Sequence, residues 1–376
     1  MTLFRPMRIG PITVSGRLVR SATNEWACDE AGRPNDAMRD ILVTLARGGV
    51  PRIHTGYAYV LPNGQSSPLQ NGIYSDDLIP AWRRITDAVH DAESECRILM
   101  QIVHGGRQVS SKYVAEPIAP SAVPIVSSGL RPREMTLREI EETIQAFGEA
   151  ARRAKEAGFD GVQIHCAHGF LLSQFLSPYV NRRTDEWGGT PERRQRFVLE
   201  TLRRVREAVG PDLAVTTKMN CEDFHPEGLA LAESCEAARK LAEEGIDAIE
   251  VSGWMMDGDP QQTPSRKGDP TPGQEGYYLQ QAVEIKRAAG TIPVGVCGGL
   301  RTRAVMERVL EAEGLDFVAA SRPFIAEPDL PKRFQAGQER ASCISCGECA
   351  GPLHCPLVKE GRLKPPPFGE DEVQTP

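Results

Sequence analysis

The sequence predicts an α/β fold, a (β/α)8 TIM barrel with an N-terminal hairpin and a short Cys-rich C-terminal extension. Its 376 residues suffice for one large barrel with extensions. Short apolar runs alternate with amphipathic stretches, as buried parallel strands alternate with helices. The eight runs are 18–21, 52–56, 98–104, 161–165, 214–219, 248–252, 293–297 and 317–320. An open doubly wound sheet is the runner-up, but its GxGxxG turn does not follow the first run.

The stretches between the runs predict helices. Apolar residues recur every three or four positions over 140–157, 191–209, 232–244 and 304–313. Before the first strand, residues 7–14 are typical of a small hairpin, which we expect to close the barrel floor. The long, polar, Gly- and Pro-rich segment 254–276 follows the sixth strand, so we predict a substrate lid there.

Two regions are expected along the chain. The barrel takes residues 1–335, and the extension takes residues 336–376 with a Cys cluster. The segment 364–376, with three consecutive prolines and several acids, predicts a disordered tail.

The charge balance limits the partners. The formal net charge is -7, and the Lys and Arg residues are dispersed among acids, which excludes a broad cationic surface. No signal core opens the chain, and no apolar stretch reaches the length of a membrane span. We therefore expect a cytoplasmic homo-oligomer with a small-molecule substrate, and neither nucleic acid nor membrane as partner.

Polar residues stand at the predicted strand ends, where barrels carry their active sites. His165 ends the fourth strand and His168 follows it, and imidazoles donate, accept or polarise near neutral pH. The third strand carries Gln101. The fifth carries Lys218, a cation in an otherwise apolar strand, which predicts an anionic or electron-rich partner.

The remaining strand ends predict a phosphorylated, planar ligand. Gly298-Gly299 and Ser321-Arg322 follow the last two strands, where backbone N–H groups and an Arg often bind phosphate. Small or missing side chains end the first two strands, at Ser21-Ala22-Thr23 and Gly56, and permit close approach of a flat ring.

Two adjoining segments after the fourth strand are highly specific. They read HCAHGFLLSQFLSP from His165 to Pro178 and NRRTDEWGGTPERR from Asn181 to Arg194. The chain resembles, on these segments, the Old Yellow Enzyme or NADH:flavin oxidoreductase family, and its bacterial branch in particular. The likeness runs from about Leu3 to Leu330.

The resemblance implies a barrel that holds FMN without a covalent bond, takes hydride from NADH or NADPH, and reduces the activated C=C bond of an α,β-unsaturated carbonyl compound. His165 and His168 would bind the substrate oxygen while hydride from flavin N5 reaches the β-carbon. Lys218 would stand near N1 and O2 of the flavin. The other implied flavin contacts are Ser21, Ala22, Thr23, Gly56, Gln101, Gly298, Gly299, Ser321 and Arg322.

The chain departs from the family pattern at its substrate-binding positions. Phe170 replaces a tyrosine that commonly protonates the substrate α-carbon, and Trp26 replaces a substrate-contacting tyrosine. The proton would then come from water or from Tyr57, Tyr277 or Tyr278. We expect substrate contacts at Trp26, Phe170 and Tyr57. Asn24 also stands where many bacterial members have a redox-tuning Cys.

Four cysteines form the second strong motif: Cys343, Cys346, Cys349 and Cys355. The run CxxCxxCx5CP resembles an iron–sulfur ligand set, although zinc would accept the same thiolates and unligated thiols are the third interpretation. Similar larger relatives, 2,4-dienoyl-CoA reductase and trimethylamine dehydrogenase, carry a [4Fe–4S] cluster just after the barrel. In those relatives, the spacing before the final cysteine is longer than the five residues here. They also continue into a second nucleotide-binding domain, whereas we expect this chain to end after the Cys cluster.

Four functions compete on these residues. An FMN-dependent reductase of activated alkenes leads. Phe170 motivates a flavin-dependent dehydrogenase or demethylase that runs in the oxidative direction. Lys218 also suits a Schiff-base aldolase acting on a phosphorylated sugar. A non-catalytic flavin or cluster protein that carries electrons is the fourth.

Overall fold

The computed structural model describes residues 1–349, 351 and 354–363. The predicted disordered tail, 364–376, lies outside the described residues. The strands are β1 Met7–Ile9, β2 Ile12–Val14, β3 Leu18–Arg20, β4 Arg52–His54, β5 Ala58–Tyr59, β6 Arg97–Val103, β7 Ile118–Ala119, β8 Arg133–Glu134, β9 Gly161–Cys166, β10 Ala214–Asn220, β11 Ala248–Ser252, β12 Val294–Cys297 and β13 Phe317–Ala320.

Eight parallel strands close into a barrel, as the sequence predicted. They follow the order β3, β4, β6, β9, β10, β11, β12 and β13, and β13 pairs with β3 to close the ring. Each predicted strand lies within two residues of an observed one. Because all eight run the same way, their carboxyl ends meet on one face.

Helices cover the outside of the barrel. They are α1 Asp36–Arg47, α2 Ile79–Ala92, α3 Leu137–Glu156, α4 Leu171–Leu176, α5 Pro191–Val209, α6 Leu231–Glu243, α7 Leu279–Ala289, α8 Arg303–Glu311, α9 Arg322–Ala326, α10 Leu330–Gln335 and α11 Pro356–Lys359. Thr136 caps α3 in a complete capping box, so that helix begins three residues before the predicted start. None of the described helices combines the length and apolarity that a membrane crossing requires.

The two ends of the barrel differ in polarity. At the amino ends of the strands, Ile9 and Val14 of the antiparallel β1–β2 hairpin pack with Ala214, Ala248 and Phe317. This apolar layer confirms the predicted floor. At the opposite end, the segments after the strands surround a cavity.

Candidate active site

The histidine pair lies at the carboxyl end of β9. His165 is the register partner of Lys218 on β10. His168 sits in the following turn with a left-handed φ of 60°, and its backbone N–H donates to Asn220 Oδ1 at 2.9 Å. Its Nε2 lies 2.7 Å from Ser252 Oγ. The two imidazole rings are 5.2 Å apart between centroids and nearly perpendicular, so the pair presents two nitrogens to one space.

Both imidazoles are neutral at physiological pH. Burial, reinforced by His168 and Lys218, holds the pKa of His165 well below its ordinary value. Burial and Lys218 lower the pKa of His168 to about 3. Within the part of the chain that the structure describes, Nδ1 of His165 has no hydrogen-bond partner. A buried imidazole nitrogen without a partner is suited to a ligand oxygen.

The partner of Lys218 is Glu250 on β11. Register pairing sets the two residues side by side, with Lys218 Nζ 3.1 Å from Glu250 Oε1. Burial alone would lower the pKa of Lys218, but the carboxylate raises it above its ordinary value. Burial would likewise raise the pKa of Glu250, but Lys218 and His54 hold this pKa well below its ordinary value. Both groups are therefore charged, and each neutralises the other inside the barrel.

Ser21 belongs to this buried network. Its hydroxyl accepts from Lys218 Nζ at 2.8 Å and donates to Glu250 Oε1 at 2.5 Å. On the other side, Gln163 Nε2 donates to Glu250 Oε2 at 3.0 Å, and Gln101 Nε2 donates to Gln163 Oε1 at 2.8 Å. A continuous chain of polar groups thus crosses the barrel interior beneath the cavity.

The cavity at the carboxyl ends of the strands has about 1170 Å³ of empty space, part of which is open solvent. Most of the residues predicted for the site line it. These residues are Ala22, Thr23, Tyr57, Gln101, His165, His168, Phe170, Lys218, Gly298, Gly299, Ser321 and Arg322.

Three of the predicted flavin and substrate contacts do not line the cavity. Ser21 lies below it, in the network with Lys218 and Glu250. The N–H of Gly56 donates to both oxygens of the buried Glu25 carboxylate at 2.9 Å, so its missing side chain makes room for Glu25. Trp26 faces the C-terminal extension, where a Cβ added to Gly351 would lie 2.5 Å from Trp26 Cβ.

The three candidate tyrosines are separated by the structure. Tyr57 lines the cavity and packs against Phe170 with 5.3 Å between ring centroids. Tyr278 is fully buried and donates its hydroxyl hydrogen to the carbonyl of Gln262. Tyr277 packs behind Gly299. Among the described residues, Tyr57 is the one tyrosine that lines the cavity.

The segment 254–276 borders the cavity, as its position after β11 predicted. Trp254 and the stretch 263–265 contribute to the lining. Arg322 Nη1 donates to the carbonyl of Arg266 at 2.8 Å, and the Arg266 guanidinium lies 4.1 Å from the centroid of the Tyr277 ring. Arg322 thereby joins this segment to the loop after β13. Movement of the segment as a lid stays a prediction.

The four clustered cysteines come near one another without forming a ligand set. Cys343 and Cys355 share a small buried cluster with Ala326. Burial raises the pKa of Cys349 to about 11, and the other three thiols act in the same direction. Among the described residues, no group of three or more Cys, His, Asp or Glu side chains is arranged to hold a metal ion.

Sequence reasoning missed Glu250, Gln108, Asn220 and Ser252. Glu250 carried the same signal that singled out Lys218, an ionisable side chain within an apolar strand. Gln108 Nε2 donates to the carbonyl of His168 at 2.7 Å, and with Asn220 it fixes the His168 turn. Gln108 ends a short 3-10 helix after β6, and only the folded barrel brings it to His168.

Fold and site together define an eight-stranded parallel barrel with a cavity at the carboxyl ends of its strands. The model of the NADH:flavin oxidoreductase / NADH oxidase family matches residues 2–341, and the chain belongs to that family. The chain is 36% identical over 349 residues to an NADH oxidase from Thermoanaerobacter brockii, covering 92% of this chain and 52% of that protein. It is also 36% identical over 345 residues to an NADPH dehydrogenase from a Geobacillus species, covering 91% and 96%.

Solved structures agree with this assignment. A 2-naphthoyl-CoA reductase superposes with a TM-score of 0.85 at 27% identity, over 96% of this chain and 57% of that one. An old yellow enzyme homologue from Zymomonas mobilis superposes with a TM-score of 0.76 at 27% identity, over 92% and 96%. The chain thus spans about half the length of some relatives and nearly all of others. In fold it is similar to the old yellow enzyme homologue over nearly its whole length.

Proposed function

We propose that this protein binds FMN in the cavity and uses NADH or NADPH to reduce the activated C=C bond of α,β-unsaturated carbonyl compounds. One observation carries the proposal. Two neutral imidazoles, one with an unpartnered buried nitrogen, lie at the mouth of the barrel next to a buried Lys–Glu pair. Such a pair can donate hydrogen bonds to a carbonyl oxygen without carrying a charge.

The residues around the cavity fit FMN. The small side chains of Ala22 and Thr23 line the cavity and leave room for a flat ring. The buried Lys218 ammonium suits a ring that gains negative charge on reduction. Arg322, the first residue of α9, suits a phosphate. When bound, FMN supplies a hydride to the substrate β-carbon.

His165 and His168 are proposed to hold the substrate oxygen. Hydrogen bonds from both rings draw electron density from the alkene, and they strengthen as negative charge develops on that oxygen. Asn220 and Gln108 orient the His168 turn from two sides. Because the pKa of each imidazole is well below neutrality, this arrangement persists across the physiological pH range.

Tyr57 is the proposed source of the proton for the α-carbon. Its ring packs against Phe170, the residue at the family's usual donor position, and lies 6.5 Å from the His165 ring between centroids. Its hydroxyl contacts Ser67 Oγ at 3.4 Å, which offers a route for reprotonation. Burial raises the pKa of Tyr57, so the phenol keeps its proton at neutral pH and holds one that it can donate.

The protonation states disfavour two of the alternatives. A Schiff-base lysine must be a free amine, whereas Glu250 raises the pKa of Lys218. The oxidative reaction needs a base where Tyr57 offers a protonated phenol. An electron carrier without alkene chemistry remains an outcome of the experiment below.

The extension is proposed to bind a [4Fe–4S] cluster, with zinc as the alternative. Four thiolates suit either metal, but the observed side chains are not in ligand positions, so no step above passes through a metal. Metal analysis of anaerobically prepared protein tests this assignment. A cytoplasmic homo-oligomer likewise remains a proposal.

The visible spectrum of the FMN-loaded protein tests the reaction. We expect flavin bands that bleach with NADH or NADPH under anaerobic conditions and recover when cyclohexenone is added. Bleaching without recovery would favour the electron carrier. A colourless protein that does not take up FMN, and that borohydride traps with a sugar phosphate, would favour the aldolase and overturn the proposal.

A further inference from the structure

A second depression continues from the mouth of the cavity. It has about 1060 Å³ of empty space, part of which is open solvent, and it shares three lining residues with the cavity: Tyr57, Gln108 and Phe170. We call it the outer groove. The contacting rings of Tyr57 and Phe170 line both spaces. Because the two spaces adjoin at these rings, one molecule can extend from the cavity into the outer groove.

Four apolar side chains stand in the far walls of the outer groove, beside its serines. Val109 and Ile125 are buried beneath it, Leu130 is half-buried, and Met256 is 39% exposed at its rim. An exposed Met beside buried aliphatic side chains is typical of a surface that binds apolar groups of varied shape.

The polar groups of the outer groove are neutral. They are the hydroxyls of Ser66, Ser110, Ser111 and Ser128 and the Gln108 amide. None of the described lining residues carries a formal charge at neutral pH. A carboxylate or phosphate placed there would find no cation among these lining residues.

A buried ion pair holds the walls together. Arg107 and Asp257 meet at 2.7 Å with side chains 1% and 2% exposed. Asp257 Oδ1 also accepts from the N–H of Val126 at 3.0 Å, and Arg107 Nη1 donates to the carbonyl of Pro124 at 3.1 Å. The turn that carries Ile125 and Leu130 is thus tied to the loop that carries Met256. These charges neutralise each other and leave the groove itself uncharged.

We propose that the outer groove binds an uncharged, largely apolar extension of the substrate, an aryl or alkyl group attached to the enone whose C=C bond lies in the cavity. The inference rests on the proposed function and names its substrate class. Phe170 and Tyr57 contact both parts of such a molecule. An anionic tail, such as that of a coenzyme A thioester, is the competing occupant.

Leu130→Asp tests this assignment, and Val126→Asp is its matched control. Val126 lies on the same turn but is 74% exposed and does not line the groove. With chalcone, a diaryl enone, we expect Leu130→Asp to raise KM at least tenfold. With cyclohexenone, which fits in the cavity alone, KM should stay unchanged, and Val126→Asp should alter neither value. Equal effects of Leu130→Asp on both enones, or no effect on chalcone, would overturn the proposal.

Charge reversal supplies the complementary test. With a chalcone that carries a carboxylate on one ring, Leu130→Lys should lower KM at least threefold, whereas the wild-type protein should prefer the uncharged parent. A wild-type preference for an enoyl-coenzyme A thioester over the methyl ester with the same acyl chain would overturn the assignment.

Binding of dihydrochalcone, a saturated analogue, separates this proposal from the reaction. Calorimetry should show binding to the wild type and to Val126→Asp, and at least tenfold weaker binding to Leu130→Asp. If that pattern holds while the wild type reduces no enone, the groove stands and the proposed function fails. If the three proteins bind dihydrochalcone equally, the groove assignment fails whatever the enzyme reduces.

Discussion

The Glu250→Gln substitution removes the charge that balances Lys218 and keeps the shape of the side chain. Glu250 is 1% exposed and lies 3.1 Å from Lys218 Nζ, and the interior holds the resulting lone ammonium away from water. Leaving one partner of a buried pair uncompensated costs about 3–5 kcal/mol. We therefore expect the free energy of unfolding to fall by that amount.

Thermal unfolding of the cofactor-free protein measures the effect. An unfolding entropy of about 2.1 cal/mol/K per residue gives a chain of this length a shift of about 1.3 °C per kcal/mol, so Tm should fall by about 4–6 °C. Adding Lys218→Met to Glu250→Gln should recover at least half of the loss, because no lone charge remains.

An exposed ion pair provides the control. Arg138 and Glu142 meet at 2.7 Å on the surface of α3, with side chains 85% and 54% exposed. Because solvent screens this pair, Glu142→Gln should change the free energy of unfolding by less than about 0.5 kcal/mol. Two results would contradict a buried pair in which Glu250 compensates the charge of Lys218. One is that Glu250→Gln lowers the free energy of unfolding no more than Glu142→Gln does. The other is that the Lys218→Met/Glu250→Gln variant loses the sum of the two single losses.

Three further predictions concern pH, phosphate and substrate oxygen. His104 Nδ1 accepts from Gly106 N–H at 3.0 Å, and burial lowers the pKa of His104 to about 4. As pH falls from about 6.5 to 4, the unfolded chain binds a proton at His104 before the folded protein does, so the free energy of unfolding falls by up to about 1.4 kcal/mol per pH unit. His104→Gln should therefore make Tm less dependent on pH in this range. An unchanged dependence would refute this. Arg322→Ala should weaken FMN binding at least tenfold in fluorescence titrations but leave riboflavin, which lacks the phosphate, unaffected; equal losses for both would contradict the phosphate role. His165→Ala and His168→Ala should each weaken binding of a phenolic ligand at least tenfold at unchanged flavin content; loss of flavin would show that they hold the cofactor instead.

Local patterns predicted the barrel well because each strand and helix carries its own periodicity. The runs at β9 and β10 are apolar and bounded by turn residues, and both strands appear where the sequence indicates. Barrel closure then follows from right-handed parallel connections. His165, His168 and Lys218 converge for the same reason, since each stands near the end of a predicted strand.

Contacts that depend on register or on loop conformation were not predictable. Lys218 required an anionic partner, but only the β10–β11 register identifies Glu250. Trp26 adopts a left-handed φ of 49° that few tryptophans favour, and this turn directs it toward the extension. Gly56 accommodates Glu25, an interaction that no local pattern encodes.

Isotope tracing of the reduced product tests the central claim most directly. Hydride from NADH deuterated at C4 should reach the β-carbon of the enone, and a reaction in D2O with unlabelled NADH should place solvent deuterium at the α-carbon. Tyr57→Phe should slow product formation at least tenfold while flavin reduction by NADH stays unchanged. Cofactor deuterium at the α-carbon, or no transfer from NADH to the alkene, would contradict a reductase in which His165 and His168 hold the oxygen and Tyr57 protonates the carbon.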